Sequence, residues 1–295
     1  MNLQRPTGVH LLIFASSFSM VGVCTVLALG GGARPLTVVA LRSVGALAIV
    51  ALYFRVARLP MRMPARERLA ALAIGLPLCI NNYCLNAAIG EIPVALAVLI
   101  FYVWPALVTV VTWVTGTEPF RWRAMFGLIF AFAGVALALN VDLTAAQTRG
   151  VILSFISACS WATVFLLINR LFAGRDTRVL TLHMLAVATT VFAVLLSVSG
   201  RAALPATPLG WTGMAGLTLF YAFGTIGLFA ATVHVGAMRT GFFMNFEPIG
   251  TLLLSALLLH QHLAPVQLVG AALVVAALFL FRPPPRAPVP CAGRP

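Results

Sequence analysis

Long hydrophobic runs separated by short polar loops occupy the chain from residue 8 to residue 281. One helical crossing of the hydrocarbon core of a membrane needs ~20 apolar residues, and the runs have about that length. The pattern predicts ten transmembrane helices and leaves no room for a sizeable domain outside the membrane. The predicted spans are 8–29, 35–54, 69–90, 93–114, 121–140, 149–171, 179–199, 209–233, 237–259 and 263–281.

The composition agrees with a chain embedded in lipid. Of the 295 residues, 61% are hydrophobic and 8% are charged, whereas ordinary soluble domains carry about 25% charged residues. A soluble protein of this size cannot keep so much apolar surface from water, but a protein surrounded by lipid has no need to do so. The sequence therefore predicts an all-α integral membrane protein.

The arginines predict the orientation in the membrane. All nineteen cationic residues are Arg; with the N-terminus inside, fifteen fall on inner segments, while Arg34, Arg149 and Arg201 fall on outer ones. By the positive-inside rule, both termini are expected on the cytoplasmic side of a bacterial inner membrane. Two termini on the same side require an even number of spans. The Pro-rich segment 283–295 is expected to be a disordered cytoplasmic tail.

Several functional classes are disfavoured by the same sequence. The net charge of +13 does not indicate nucleic acid, because the arginines lie between hydrophobic runs and form no basic domain. The five cysteines are scattered without a CxxC pair, and no HExxH, GxSxG or Walker A stretch is present. We therefore expect no metal, no cofactor and no enzymatic activity, an integral-membrane enzyme being the weaker alternative. The expected partners are a small-molecule substrate and membrane lipid, with a monomer as the default assembly.

A weak internal repeat divides the chain into halves 1–143 and 144–282. A shift of about 143 positions places Pro105 on Pro248 and Gly127 on Gly270. Five spans per half is an odd number, so the second half is expected to be inverted relative to the first. Inverted repeats are typical of transporters, although gene duplication with packing kinks is the alternative. The paired prolines Pro105 and Pro248 are predicted to interrupt their helices and to act as hinges.

This pattern resembles the drug/metabolite transporter superfamily and, within it, the EamA-type exporters built from two five-helix repeats. The matching positions are Arg42, the stretch 82–88, Trp104-Pro105, Glu118, Gly127, Gly134, Gly150, Trp161, Glu247-Pro248 and Gly270. The YddG-like branch of amino-acid exporters is the most similar one. The resemblance implies export of aromatic and other amino acids, or related metabolites, by alternating access; a broad drug exporter is the alternative. One departure is Gln261, which stands where the family usually repeats the Glu of position 118.

The candidate substrate cavity lies near the membrane midplane, between spans 3, 4, 8 and 9 and their partners. Its predicted lining comprises Asn82, Tyr83, Asn86, Tyr102, Trp104, Trp161, Tyr221, Phe229, Phe243 and Glu247. The aromatic members are of a kind that stacks on flat substrates, although each is also an ordinary packing residue. Asn82 and Asn86 share a helix face and suit a zwitterionic ligand or interhelical hydrogen bonding equally well.

Two charged residues inside predicted spans are candidates for specific roles. Glu247 lies near the midplane, where a carboxylate is expensive and indicates function, either proton coupling or pairing with a substrate ammonium group. A protonated structural Glu is the alternative. Arg42 lies about 10 Å below the outer end of span 2 by helix rise. Its candidate roles are binding a substrate carboxylate, pairing with an acid such as Glu247 or Glu91, and snorkelling outward; pairing with an acid is the favoured expectation.

Overall fold

The structure is a computed structural model that describes residues 8–89, 91–139, 147–173, 175–259 and 262–280. Within those ranges the regular elements are twelve α-helices, and no strand occurs. The helices are α1 (Gly8–Gly30), α2 (Pro35–Val56), α3 (Ala65–Ile89), α4 (Val94–Phe101), α5 (Trp104–Val114), α6 (Trp122–Leu139), α7 (Thr148–Leu171), α8 (Arg178–Ser199), α9 (Pro208–Val235), α10 (Ala237–Met244), α11 (Phe246–Leu259) and α12 (Pro265–Leu280).

Each predicted span coincides with a helix or with a pair of helices. In the described part of the chain, nine stretches are apolar and long enough to cross a membrane, if α4 with α5 and α10 with α11 count as one crossing each. Helix α12 is apolar but shorter. The prediction of an all-α membrane fold is therefore confirmed. The predicted boundary at 143/144, the tail 283–295 and Gln261 lie outside the described residues.

Two spans are broken near their middle, and each break precedes a proline. Helix α4 ends at Phe101 and α5 begins at Trp104, because Pro105 lacks an N–H group and its ring clashes with the carbonyl group four residues earlier. Pro248 stands in the same relation to Met244, the last residue of α10. The side chain of Asn245, between α10 and α11, donates to the carbonyl oxygens of residues 241 and 242 and so satisfies part of the interrupted backbone.

The helices pack as pairs of distant partners. Helix α1 runs along α9, α3 along α7, α2 against α8, and α6 along α12, while the broken spans meet where α5 contacts α10. Glycines allow the closest approaches, as is common between membrane helices. A Cβ on Gly134 of α6 would lie 2.8 Å from the carbonyl oxygen of Gly270 on α12, and a Cβ on Gly227 of α9 would overlap the ring of Phe14 on α1.

The two ends of the bundle differ in charge. We call the end with loops 57–64, 115–121 and 172–177 the arginine-rich end, and the end with loops 31–34, 91–93 and 200–207 the arginine-poor end. Loop 200–207 is held to loop 31–34 by backbone hydrogen bonds, including Ala206 N to Gly31 O at 2.8 Å. Its position against the start of α2 shapes one wall of the cavity described below.

Ion pairs occur at both ends among the described residues. Arg175 pairs with Glu67, and Arg178 with Asp176, at the arginine-rich end, whereas Arg149 pairs with Glu91 at the other. Burial acts to raise the pKa of Asp176, but the hydrogen bonds and the charge of Arg178 outweigh it and lower that pKa.

Candidate functional site

A cavity of about 390 Å³ opens at the arginine-poor end between α2, α3 and α8. This volume lies in the ordinary range of small-molecule sites, roughly 300–1,000 Å³. The lining residues are Arg34, Pro35, Leu36, Val39, Asn82, Tyr83, Asn86, Ala87, Phe192, Ser199 and Arg201. Three of the ten predicted residues, all on α3, therefore line it.

The polar wall of the cavity comes from α3. Asn82 and Asn86 each donate from Nδ2 to the backbone of the preceding turn, to Leu78 O at 2.8 Å and to Asn82 O at 2.7 Å. These bonds orient the amide oxygens away from their own helix. Tyr83 is 53% exposed and stands at the outer part of the wall. Asn81 faces the opposite way and hydrogen-bonds to Ser157 on α7.

Within the described ranges Arg42 pairs with no acid, Glu91 and Glu247 included, so the favoured expectation for it was wrong. Its Nη2 group donates to Asn82 Oδ1 at 2.6 Å, and its guanidinium carbon lies 4.1 Å from the ring centroid of Tyr221 on α9. Glu91 is instead paired with Arg149 beyond the end of α3. The Asn82 and Tyr221 side chains hold Arg42 inside the bundle by neutral contacts, a geometry that helix spacing along one chain does not reveal.

Three predicted aromatic residues form a packed cluster instead of a cavity wall. Trp104, Trp161 and Phe229 are 1%, 8% and 0% exposed. Trp161 meets Trp104 and Phe229 with ring centroids 6.4 and 6.3 Å apart. Phe165, which the sequence reasoning missed, fills the centre, 4.7 Å from Trp104. The sequence did contain an indication of this role, because Phe165 lies one turn after Trp161 on the same face of α7. We call these four buried, mutually packed rings the aromatic layer.

The remaining predicted residues lie beside the other broken span. The buried hydroxyl group of Tyr102 lies close to the Glu247 carboxyl group, but it makes no hydrogen bond of ordinary geometry among the described residues. Glu247 lies deep in the bundle but keeps part of its surface accessible. Ser19 on α1 donates to the carbonyl oxygen of Glu247 at 2.9 Å, which ties α11 to α1. Phe243 packs against Gly8 and lines a second, apolar cavity of about 300 Å³ between α1, α10, α11 and α12.

The structure thus distributes the predicted site over separate places. Asn82, Tyr83 and Asn86 line the cavity, while Tyr221 contacts Arg42, the hydrogen-bond partner of Asn82. The other six residues lie in the aromatic layer or around the break between α10 and α11. Sequence reasoning also missed the cavity walls from α2 and α8. Arg34 and Arg201 carried one signal, since they belong to the few arginines predicted to lie outside.

No group of three His, Cys, Asp or Glu side chains within the described ranges has the geometry of a metal site. Four cysteines in those ranges are free thiols, three of them buried.

Comparisons with known proteins agree with this architecture. The model of the EamA-like transporter family matches residues 7–140 and 148–282. A Bacillus subtilis (strain 168) protein described as "Uncharacterized transporter YvbV" is 26% identical over 201 residues, which are 65% of this chain and 64% of that protein, just under two thirds of its length. A solved structure titled "Crystal structure of protein" superposes with a TM-score of 0.78 at 17% identity, over 92% of this chain and 95% of the other. At that identity, the superposition establishes the fold alone.

Proposed function

Because the chain belongs to the EamA-like transporter family, we propose that it exports aromatic and other amino acids, or related small metabolites, across a bacterial inner membrane by alternating access. The observation that carries this proposal is a cavity that opens at one end of the bundle. We propose that the packed rings of Trp104, Trp161, Phe165 and Phe229 close the path to the other end. Such an arrangement gives access from one side at a time. With the arginine-rich end in the cytoplasm, both termini are inside and the cavity opens outward.

Helix contacts support the inverted repeat that alternating access requires. Exchange of the two halves converts the contact of α1 with α9 into that of α7 with α3, and the contact of α2 with α9 into that of α8 with α3. The pairs α2 with α8, α6 with α12, and α5 with α10 each join equivalent spans. This is the contact pattern expected if 1–143 and 144–282 are two inverted repeats around a shared axis.

The broken spans supply the points at which the halves bend. Pro105 and Pro248 each follow a break, and α5 and α10 contact each other near the aromatic layer, since a Cβ on Gly241 would lie 3.1 Å from the Trp104 ring. Interrupted helices near the midplane are a recurring feature of transporter binding sites. A change in the bend at these prolines would open the layer toward the arginine-rich end and close the cavity at the other.

The lining of the cavity favours amino acids over the cationic drugs of the alternative function. A site for organic cations needs a carboxylate or an aromatic cage, and no acidic residue is found among those that line the cavity. Amino acids carry a carboxylate that arginine and asparagine side chains bind well.

Flux into liposomes tests this proposal. Purified protein is expected to accelerate saturable movement of labelled phenylalanine or tryptophan relative to protein-free liposomes. Ala87→Trp fills the cavity and is expected to abolish that flux, whereas Leu76→Trp on the exposed face of the same helix leaves it intact. Folded protein that moves no amino acid would refute the function. Flux that survives Ala87→Trp would show that the substrate does not use this cavity.

A further inference from the structure

Arg42 carries a charge inside the bundle, and no acid among the described residues pairs with it. The ion pairs among the described residues use Arg149, Arg175 and Arg178, not Arg42. Arg42 lies two turns into α2 and is only partly exposed, so its charge is largely removed from water. An unpaired charge in a membrane-spanning segment is costly and is retained where it has a role. The missing counter-charge is the first indication of an anionic ligand.

The neighbours of Arg42 hold it in place without neutralising it. Asn82 accepts one guanidinium N–H, and its own amide is fixed by a bond to Leu78 O, so the Asn82 oxygen stays directed at Arg42. Tyr221 supports the guanidinium plane by a cation–π contact. The buried Nε of Arg42 has no hydrogen-bond partner among the described residues. Part of the donor capacity of the guanidinium group is therefore still available.

Arg42 does not itself line the cavity, but its Nη2 group donates a hydrogen bond to Asn82, which does. Arg42 follows Val39 by three positions on α2, and Val39 and Asn82 both line the cavity. Arg34 and Arg201 line the same cavity at its mouth. Two arginines and no acid in the lining, with Arg42 behind Asn82, make the potential inside the cavity positive, and a low-dielectric wall strengthens it. This potential attracts anions into the cavity.

We infer that this cavity selects organic anions, with the carboxylate of the substrate bound by Arg42 and Asn82 and its apolar body packed against Leu36, Val39 and Phe192. Arginine binds carboxylates with strong, charge-assisted hydrogen bonds that are often bidentate. The inference rests on the proposed transport function and narrows its substrate class. The carboxylate is the group that is recognised, and a substrate amino group is tolerated but not required.

Ligand-dependent thermal stability of the purified protein in a neutral detergent tests this inference. The probes are phenylacetate, phenethylamine and inorganic phosphate, which separate the carboxylate, the aromatic body and a bare anion. Phenylacetate is expected to raise the unfolding midpoint in a saturable way, and phenethylamine is expected to leave it unchanged. Stabilisation by phenethylamine would overturn the inference. Phosphate that binds as tightly as phenylacetate would also overturn it, because the apolar body would then contribute nothing.

Two variants locate the anion. Arg42→Gln is expected to weaken phenylacetate binding at least about 10-fold, the effect of losing a charged hydrogen-bond partner. Asn82→Asp places a carboxylate beside Arg42 with little change in shape, so it is expected to raise stability and to abolish phenylacetate binding. The Asn82→Asp variant therefore still tests the inference if Arg42→Gln does not fold. Arg149→Gln is the matched control and is expected to bind phenylacetate normally, because Arg149 lies at the same end but pairs with Glu91, which does not line the cavity.

The outcomes separate this inference from the proposed function. Unchanged phenylacetate affinity in Asn82→Asp would refute the anion site even if phenylalanine flux is normal. Loss of phenylacetate binding in Asn82→Asp would support the anion site. If the unmodified protein at the same time moves no amino acid into liposomes, amino-acid export is refuted while the anion site stands.

Discussion

Asn81 on α3 and Ser157 on α7 make reciprocal hydrogen bonds in the buried seam between these helices. Asn81 Nδ2 donates to Ser157 O at 3.2 Å and to Ser157 Oγ at 2.8 Å, and Ser157 Oγ donates to the backbone oxygen of Asn81 at 3.1 Å. Only the 2.8 Å bond joins the two side chains. We predict that a double-mutant cycle of Asn81→Ala and Ser157→Ala isolates this bond.

The expected free energies follow from the number of bonds that each variant removes. Hydrogen bonds between membrane helices contribute about 0.6 kcal/mol on average, with a maximum near 1.7 kcal/mol. Each single variant removes two bonds and the double variant removes three. The hydrogen-bond losses are therefore about 1.2 kcal/mol for each single variant and about 1.8 kcal/mol for the double variant, a coupling of about 0.6 kcal/mol. The packing that Asn81→Ala also loses cancels in the cycle.

Equilibrium unfolding in lipid bicelles, followed by far-ultraviolet circular dichroism, measures these values. The matched control combines Asn81→Ala with Ser197→Ala, since Ser197 is exposed on α8 and bonds only to its own helix at 2.8 Å. That pair is expected to be additive. If the losses of Asn81→Ala and Ser157→Ala also add without coupling, the two side chains do not share a bond and the described packing of α3 on α7 is wrong.

Three further perturbations examine other parts of the molecule. Gly270→Ala is expected to lower the free energy of unfolding by about 1–3 kcal/mol, because its Cβ would overlap the backbone nitrogen of Ala138, whereas Gly30→Ala meets open space and serves as the control in the same unfolding assay. Trp104→Ala is expected to reduce stability by about 3–5 kcal/mol and flux of all substrates alike; a loss confined to aromatic substrates, at unchanged stability, would contradict its packing role. Glu247→Gln is expected to remove the dependence of liposome flux on a pH gradient, and a variant that keeps this dependence would exclude Glu247 from coupling.

The fold was largely predictable from the sequence, for a physical reason. A membrane helix must satisfy the hydrogen bonds of its backbone within one segment. The presence and the limits of the helix therefore depend on one continuous stretch of residues. The helix breaks were predictable as well, since Pro105 and Pro248 act on their own helices. Helix α3 begins a turn before its apolar run because its first turn is the charged stretch Ala65–Arg68, which lies outside any hydrophobic signal.

The site was less predictable because it depends on contacts between distant helices. Nothing in the local sequence of Arg42 distinguishes an acid from Asn82 and Tyr221 as its partner, since the choice depends on how α2, α3 and α9 are rotated. The same rotation decides which aromatic residues face a cavity. Trp104 and Trp161 were selected for their depth in the membrane, and depth is equally compatible with a packed layer and with an open wall.

The meeting of Trp104 and Trp161 also makes the molecule optically informative. Their rings are nearly perpendicular, at 82°, and close enough for the two indole transitions to interact. Such an arrangement gives the protein a near-ultraviolet circular dichroism signature that depends on the mutual angle of two rings carried by α5 and α7. Any rearrangement that separates α5 from α7 would change that signature without a label, so a displacement of these two helices can be followed from the chromophores that the chain already contains.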